Sequence, residues 1–271
     1  MKRLVFALLC CMSLTACAQP ADPQDAAGKA PAPDAAATVG PEPTYAAGTA
    51  EARVREALRS LAPGLAVERI GKAPIAGFHE VIAGGQVVYV SDDGKYLLQG
   101  NLLDIGARRD LSEDAMAALR RQILAKLPEQ DRIVFAPAGK PKHKVVVLTD
   151  IECGYCRKFH QDIARYTGLG IEVEYLAFPR AGLGSPDYRK MVAVWCAKDR
   201  RKALTDAKND RPVPMASCAR TPVDMQYRAG QRMGLTGTPM ILSEDGHMLG
   251  GYLPPEALLE RLDALEPGSG A

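Results

Sequence analysis

Two cysteines separated by two residues form the strongest chemical motif of this sequence. The motif Cys153-Gly154-Tyr155-Cys156 lies between an apolar run over 145–148 and a segment with helical periodicity. A thiol at the start of a helix lies beside unpaired backbone N–H groups and the positive end of the helix dipole, which favour the thiolate. The motif therefore predicts a lowered pKa for Cys153 and a dithiol able to exchange disulfides.

The periodicity after the motif gives its two sulfurs different surroundings. Cys156, Phe159, Ile163 and Tyr166 fall on one apolar helix face. We therefore expect Cys156 to point inward and Cys153 to face solvent, as an attacking thiol and a shielded resolving thiol would. Nearby charges are mixed, because two basic residues follow the pair and two acidic residues precede it. These are Arg157, Lys158, Asp150 and Glu152.

The same motif also occurs in two kinds of unreactive site. A structural disulfide is the simplest alternative. A zinc site would need four ligands, and only His160 follows the pair closely, so no metal site is predicted. His160 itself is expected to be a helix-surface or half-buried residue rather than an acid or base.

The remaining cysteines suggest a second pair. Of seven cysteines, three lie in or beside the N-terminal leader, which leaves the motif and Cys196 with Cys218. An even number in an exported protein implies disulfides, and three pairings are possible. Because a CxxC pairs most naturally with itself, Cys196 is expected to pair with Cys218. Such a bridge would stabilise the fold by roughly 3 kcal/mol.

The N-terminus predicts export. Residues 1–16 combine a basic start, an apolar run and small residues, which is typical of a secretory signal peptide. Residues 14–17 resemble a bacterial lipobox that would make Cys17 a lipidated N-terminus, although ordinary cleavage after Ala18 competes. Residues 17–47 are predicted to be a disordered tether, because 18–47 hold 11 Ala and 6 Pro with almost no aliphatic bulk. We expect a periplasmic location, with the membrane reached only through lipidated Cys17.

Composition excludes two classes of protein. Without Lys2 and Arg3 the chain has 32 basic and 32 acidic residues, so it lacks the excess positive charge of a nucleic-acid binder. After the leader, no segment is apolar over the roughly 20 residues that a membrane helix needs. The 271 residues suggest two domains with real cores.

The first domain is predicted over 48–110 as a small α+β unit. Thr49 can cap a helix with apolar positions at Val54, Leu58 and Leu61. Four strand-like runs follow, over 67–70, 78–83, 86–91 and 96–99, with a hairpin signal at Gly84-Gly85. Its small size makes help from a partner chain plausible. Ser112 can then cap a linker helix over 111–128.

The second domain is predicted over 129–267. It begins with a strand over 145–148 that is apolar on both faces. The motif and a helix to about Tyr166 come next, then a strand over 171–178, a mostly helical stretch over 187–233, a hairpin around Asp245-Gly246 and a last helix from Pro254-Pro255.

Several separated motifs together resemble one family. Cys-Gly-Tyr-Cys after Thr149-Asp150-Ile151 is joined by the stretches over 175–180, 195–199 and 237–239. This set is similar to the DsbC/DsbG disulfide isomerases of bacterial periplasms, and the Gly-Tyr dipeptide fits DsbC better. The resemblance covers about residues 48–265.

The resemblance implies a fold and a set of roles. The fold is α+β, with a cystatin-like N-terminal dimerisation domain, a linker helix and a thioredoxin-like domain with a helical insertion. Cys153 would be the attacking thiol and Cys156 the resolving thiol, while Cys196 and Cys218 match the family's structural bridge. Thr238-Pro239 matches a loop whose proline is cis and which, with Gly154 and Tyr155, presents backbone to an extended substrate. No cofactor beyond the dithiol is implied.

The implied activity is isomerisation, and reduction, of mispaired disulfides in exported proteins by a homodimer that a DsbD-like membrane protein keeps reduced. A dithiol oxidase or reductase for one partner and a chaperone-like holdase are the alternatives. Two features depart from the pattern. The lipobox-like Cys17 with its tether is absent from the soluble family. Val147 departs from thioredoxin, which has a buried acid there; it agrees with the DsbC pattern but removes a proton acceptor for the resolving step.

Overall fold

The computed structural model describes residues 43–265. The signal peptide, Cys17 and most of the predicted tether lie outside this range. Tyr45 falls within the segment predicted to be disordered, yet it packs against the first core and its hydroxyl accepts a 2.9 Å hydrogen bond from the Ile70 amide. Ordered structure therefore begins before residue 48.

The N-terminal part is a helix packed on a four-stranded antiparallel sheet of order β1-β2-β3-β4. Its elements are α1 (Ala50–Leu61), β1 (Val67–Lys72), β2 (Phe78–Ala83), β3 (Gln86–Ser91) and β4 (Leu97–Gln99). Thr49 caps α1 as predicted, accepting a hydrogen bond from the Ala52 amide at 3.2 Å. Leu61, predicted on the apolar face, is instead 70% exposed, because α1 ends there and the chain turns away.

A short ribbon and a second helix follow the sheet. They are β5 (Leu103–Asp104), β6 (Arg109–Asp110) and α2 (Leu111–Leu124). The predicted cap of α2 was wrong by two positions. Asp110 accepts the Glu113 amide, while the Ser112 hydroxyl is buried against Tyr89 Oη at 2.7 Å and accepts the Leu102 amide. The cap of α2 is therefore the carboxylate of Asp110, one residue before the helix, and not the hydroxyl of Ser112 inside it.

Helix α2 contributes to two cores. Its first half packs Ala115 and Met116 against the N-terminal sheet. Its second half, with Ile123 and Leu124, covers one face of the C-terminal sheet. The same helix therefore packs against both sheets and connects the two cores.

The C-terminal part is a five-stranded sheet of order β11-β10-β8-β9-β7 with helices on both faces. Its elements are β7 (Ile133–Phe135), β8 (His143–Thr149), α3 (Gly154–Gln161), α4 (Ile163–Gly168), β9 (Ile171–Ala177), α5 (Pro186–Trp195), α6 (Arg200–Lys208), α7 (Val223–Arg232), β10 (Met240–Ser243), β11 (Met248–Gly250) and α8 (Pro255–Asp263). Strands β8 and β9 pair in parallel, and the other pairs are antiparallel.

Strand β8 is central and is covered on both faces, as its apolar run predicts. Val145 and Val147 enter one core, and Val146 and Leu148 enter the other. The helix after the motif is interrupted at Asp162, so the predicted continuous helix to Tyr166 is two helices, α3 and α4. No helix within residues 43–265 is long and apolar enough to span a bilayer.

The N-terminal part and the C-terminal part contact each other through backbone atoms. Gly85, at the β2–β3 turn, lies so close to Gly234 that a Cβ on Gly85 would be 2.7 Å from the Gly234 Cα atom and the Gln231 carbonyl oxygen. Both glycines have positive φ, 74° and 78°. Beside them, the Arg232 guanidinium binds the Glu68 carboxylate through two hydrogen bonds of 2.8 and 2.6 Å. Side chains are excluded at the point of closest approach.

Candidate active site

The CxxC motif lies where the central strand β8 meets a helix. β8 ends at Thr149, and four residues later Cys153 occupies the N-cap position of α3. The carboxylate of Asp150 organises this connection. Its Oδ1 accepts the Glu152 amide at 2.7 Å, and its Oδ2 accepts the amide and Nε of Arg180 at 2.9 and 3.0 Å. The first sulfur is therefore presented by a turn fixed through a buried carboxylate.

Cys153 is less exposed than the sequence predicts. It is 4% exposed, and Cys156 is 1% exposed, so the expectation that Cys153 faces solvent was wrong. The cover comes from the Thr238–Pro239 loop, whose Thr238 carbonyl oxygen lies 3.2 Å from Cys153 Sγ. The residues that flank Cys153 in the sequence, Glu152, Gly154 and Tyr155, are exposed. The Cys153 sulfur therefore lies directly beneath the surface rather than in a core.

The covering loop contains a cis peptide bond between Thr238 and Pro239. Thr236 and Gly237, which precede this bond, are exposed. An open groove of about 530 Å³ runs beside the loop, lined by Tyr155 and Tyr252, by Met240 and Met248, and by residues 236–238. Tyr155 is 64% exposed and places an aromatic ring next to the reactive pair.

The two thiols differ strongly in acidity. Hydrogen bonding from Cys156, assisted by Thr238 and the Cys156 amide and opposed by burial, lowers the pKa of Cys153 to about 5. Burial, together with that same hydrogen bond, raises the pKa of Cys156 far above its usual range. The predicted direction for Cys153 agrees with the structure. The leading cause, however, is the partner thiol, with the helix amide contributing less.

The charges expected to act on the pair act elsewhere. Arg157 binds Glu152 at 3.1 Å and Asp210 at 2.7 Å, and the Lys158 ammonium lies 4.6 Å from the centre of the Tyr252 ring. The cation that lowers the pKa of Cys153 is Arg180, which Asp150 holds in place. Arg180 follows β9 in the sequence, so it reaches Cys153 only because β9 pairs in parallel with β8.

His160 is fully buried, so its predicted half-buried or surface position was wrong. Nδ1 lies 3.0 Å from Tyr175 Oη, and Nε2 lies 3.0 Å from Thr205 Oγ1. Burial, and then the charge of Lys208, lower the pKa of His160 to about 4. A neutral ring with both nitrogens engaged serves packing rather than proton transfer. Within residues 43–265, no three or more His, Cys, Asp or Glu side chains are grouped to hold a metal ion.

Two buried charged residues near the site gave no sequence signal. Lys208 ends α6 and is 2% exposed, and Asp187 in α5 is 8% exposed. Both lie in a helical stretch whose apolar pattern marks only the core positions. The sequence could have pointed to them only through a charged residue at a position where the helical pattern calls for an apolar one.

Asp187 forms an acidic pair with Asp150. Burial, then the charge of Asp150 and a hydrogen bond to it, raise the pKa of Asp187 to about 7. Oδ1 of Asp187 is buried without a hydrogen-bond partner among the described residues, which favours the neutral form of the carboxyl.

The raised pKa of Asp187 predicts a specific dependence of stability on pH. A folded-state pKa above the unfolded one stabilises the fold below pH of about 4, and this contribution is lost as pH rises through about 7. Asp187→Asn stays neutral. We therefore expect its unfolding free energy to exceed that of wild type by about 1–3 kcal/mol more at alkaline than at acidic pH. Urea denaturation at both pH values measures this, with Asp245→Asn in an exposed turn as the matched control. An identical pH dependence in Asp187→Asn and wild type would contradict it.

Cys196 and Cys218 are joined by a disulfide with an S–S distance of 2.00 Å. The bridge ties the end of α5 to an exposed, irregular segment over 209–222, where the sequence had predicted mostly helix. Pro212, Pro214 and Pro222 account for the absence of helix there.

Comparison with known proteins identifies the family. A profile described as the disulfide bond isomerase protein N-terminal domain matches residues 30–113, and one described as a thioredoxin-like domain matches 128–266. Thiol:disulfide interchange protein DsbC of Escherichia coli (strain K12) is 37% identical over 215 residues, which cover 79% of this chain and 87% of that protein. The chain belongs to the DsbC family.

Other DsbC proteins show similar agreement. DsbC of Dickeya dadantii (strain 3937) is 36% identical over 214 residues, covering 79% of this chain and 87% of that protein. Among solved structures, a disulfide interchange protein from Neisseria gonorrhoeae is 28% identical, with a TM-score of 0.46, and covers 52% of this chain and 99% of that one. The predicted fold class, an α+β chain with a DsbC-type N-terminal domain and a thioredoxin-like domain, is confirmed.

Proposed function

We propose that this chain is a thiol:disulfide interchange enzyme that isomerises and reduces non-native disulfides in exported proteins through Cys153 and Cys156. The observation that carries the proposal is the pairing of opposed acidities at one helix start. A thiol with a pKa of about 5 lies against the Thr238 carbonyl, and a second thiol with a raised pKa lies beneath it. At neutral pH the first is an ionised nucleophile and the second stays protonated.

The reaction begins when the Cys153 thiolate attacks one sulfur of a substrate disulfide. A bond forms between that sulfur and Cys153, and the other substrate sulfur leaves as a thiolate. A different substrate thiolate can then displace Cys153, which completes isomerisation with no net change in oxidation. Alternatively Cys156 displaces the substrate, which is reduced by two electrons while the enzyme pair becomes a disulfide.

The groove beside the cis-proline loop supports an extended polypeptide as the substrate. Thr236 and Gly237 are exposed, so their backbone can pair with a strand-like segment. Tyr155 and Met248 supply exposed apolar surface that accepts varied side chains. Such a surface suits a broad clientele of mispaired exported proteins.

Refolding of a scrambled multi-disulfide protein tests the function. In a glutathione buffer, the reduced chain should accelerate recovery of native enzyme activity over buffer alone. Recovery no faster than buffer would contradict the proposal. Selective oxidation of reduced substrate, without rearrangement, would favour the dithiol oxidase instead.

A holdase activity is the second candidate, favoured by the apolar lining of the groove and by the exposed apolar side chains of the N-terminal part. Suppression of citrate synthase aggregation should survive in a Cys153→Ser/Cys156→Ser variant if this activity is separate from the chemistry.

We further propose that the chain is a homodimer through its N-terminal part. Strand β4 pairs only with β3 among residues 43–265, so its outer edge is free. Leu98 is 48% exposed on this edge, and Leu103 and Ile105 just beyond are 60% and 89% exposed. An apolar, unpaired edge strand is a template for a second copy.

Charge placed on this edge should separate the dimer. We expect Leu98→Glu/Leu103→Glu to weaken self-association by at least about 100-fold, because each leucine loses about 2 kcal/mol or more of burial. Sedimentation equilibrium measures the dissociation constant, and Leu61→Glu on α1 is the control with similar exposure. Unchanged association of the double variant, or a monomeric wild type at micromolar concentration, would refute the dimer.

A periplasmic location is proposed, supported by membership of the DsbC family. A DsbD-like membrane reductant that keeps the pair reduced is proposed from the sequence resemblance alone. Lipidation of Cys17 is proposed from the lipobox alone, and mass spectrometry of the mature N-terminus tests it. An unmodified N-terminus would exclude a lipid anchor.

A further inference from the structure

A buried lysine lies beneath the reactive pair. Lys208 is 2% exposed, and its Nζ donates to Thr149 Oγ1 at 2.6 Å and to the Asp150 carbonyl oxygen at 2.7 Å. Among the described residues, no carboxylate oxygen comes within ion-pair distance of this ammonium. Burying an ammonium without a carboxylate is costly, so its presence here calls for a reason beyond packing.

Thr149 connects this lysine to the resolving thiol. The Thr149 hydroxyl, which accepts from Lys208, lowers the pKa of the Cys156 thiol against the larger effect of burial. Thr149 and Cys156 are both at most 1% exposed. A hydroxyl donates one proton and accepts others, so it can pass a proton between two neighbours. Thr149 therefore links Lys208, which it contacts, to Cys156, whose acidity it affects, and offers a polar path inside an apolar core.

The resolving step needs such a path. Cys156 must lose its proton to attack the Cys153 sulfur, yet burial holds its pKa far above neutrality. Val147, which is fully buried, offers no carboxylate in the strand beneath the pair. His160 is unsuitable because both of its nitrogens are already engaged.

The surroundings of Lys208 bring its pKa close to neutral pH. Burial lowers its pKa to about 8. Groups facing it act in both directions: Cys156, Asp150 and Cys153 raise its pKa and Arg157 lowers it, while His160 beside it is neutral. A lysine poised near neutrality can both accept and return a proton.

We propose that Lys208 is the proton acceptor for Cys156 when the mixed disulfide is resolved, with the Thr149 hydroxyl as the relay. The Cys156 proton moves to Thr149 while the Thr149 proton moves to the neutral Lys208 amine. The Cys156 thiolate then attacks Cys153, the bond from Cys153 to the substrate breaks, and the substrate leaves as a thiolate. Lys208 returns its proton to that thiolate or to water. Lys208 acts through Thr149 and is a positioning residue. The inference rests on the proposed function.

The test separates attack from resolution. Reduced protein is mixed with oxidised glutathione, quenched with acid and analysed by mass, which resolves the Cys153–glutathione adduct from the Cys153–Cys156 disulfide. In Lys208→Met, adduct formation should be unchanged, and its resolution at neutral pH should be at least about 10-fold slower.

The pH profile distinguishes proton transfer from a structural effect. Wild-type resolution should rise with pH and level off near the Lys208 pKa of about 8, where the amine is neutral. Without that amine, in Lys208→Met, the rate should keep rising as hydroxide takes over. Lys208→Arg should be as slow as Lys208→Met, because a guanidinium cannot accept a proton. Lys202→Met, exposed on the same helix, should match wild type.

Thr149→Val provides an independent variant, since it removes only the relay hydroxyl while leaving the lysine. Wild-type resolution in folded Lys208→Met, in Lys208→Arg or in Thr149→Val would overturn the proposal. If Lys208→Met does not fold, the other two variants decide. Failure of wild type to form any adduct at Cys153 would instead refute the proposed function.

Discussion

Cys153→Ser is expected to abolish recovery of a scrambled substrate, while Cys156→Ser retains attack and accumulates a mixed disulfide with the substrate. The difference follows from the roles of the two sulfurs. A serine hydroxyl stays protonated at neutral pH and cannot attack a disulfide, whereas removing the resolving thiol blocks only the second step.

The measurement is non-reducing electrophoresis of acid-quenched reactions beside the activity assay. A Cys153→Ser variant with full activity, or a Cys156→Ser variant without any trapped adduct, would refute these roles.

The acidity of Cys153 offers a finer control within the same experiment. Alkylation by iodoacetamide should increase with pH through about 5 and then remain level, because the thiolate is fully formed above that pKa. Cys156→Ala removes the leading hydrogen bond and should raise the pKa of Cys153, while Cys156→Ser keeps a donor and should raise it less.

Loss of the Cys196–Cys218 bridge is the second large effect. The two cysteines are 22 residues apart, and closing a loop of this length stabilises the folded state by about 3 kcal/mol in loop-entropy terms. We expect Cys196→Ala/Cys218→Ala to lose about that much unfolding free energy, which is a large part of a typical domain's total. Urea denaturation under non-reducing conditions measures the loss.

The loss should be local in its first consequence. The segment over 209–222, which the bridge holds at Cys218, has no helix, and Cys218 is exposed. Limited proteolysis should therefore cleave within 209–222 in the variant before the rest of the chain. Equal stability of the variant and wild type would show that other contacts hold this segment, such as the ion pair of Arg220 with Asp131 at 3.1 Å.

Strong local patterns made much of the fold predictable. The apolar run of β8, the Gly84-Gly85 turn and the Thr49 cap each depend on neighbouring residues, and the structure has them where the sequence indicates. The short strands β5, β6 and β7 were missed, because two or three residues carry too little periodicity to register.

The chemistry of the site was only partly readable. The motif indicated the pair and the direction of the Cys153 pKa, since both follow from local position. The cover over Cys153 arises from Thr238, which is 85 positions away, and Arg180 and Lys208 reach the site through tertiary packing. Charged residues in the helical insertion look like solvated surface until the fold places them.

The contact between Gly85 and Gly234 sets the distance between the two parts of the chain. A Cβ on Gly234 would lie 2.2 Å from the Gly85 carbonyl oxygen, so even a methyl group would act as a wedge. A tilt at this contact would move the thioredoxin-like part, and Cys153 with it, relative to the N-terminal sheet. Two residues without side chains thereby set how closely the N-terminal sheet approaches the thioredoxin-like part of the same chain.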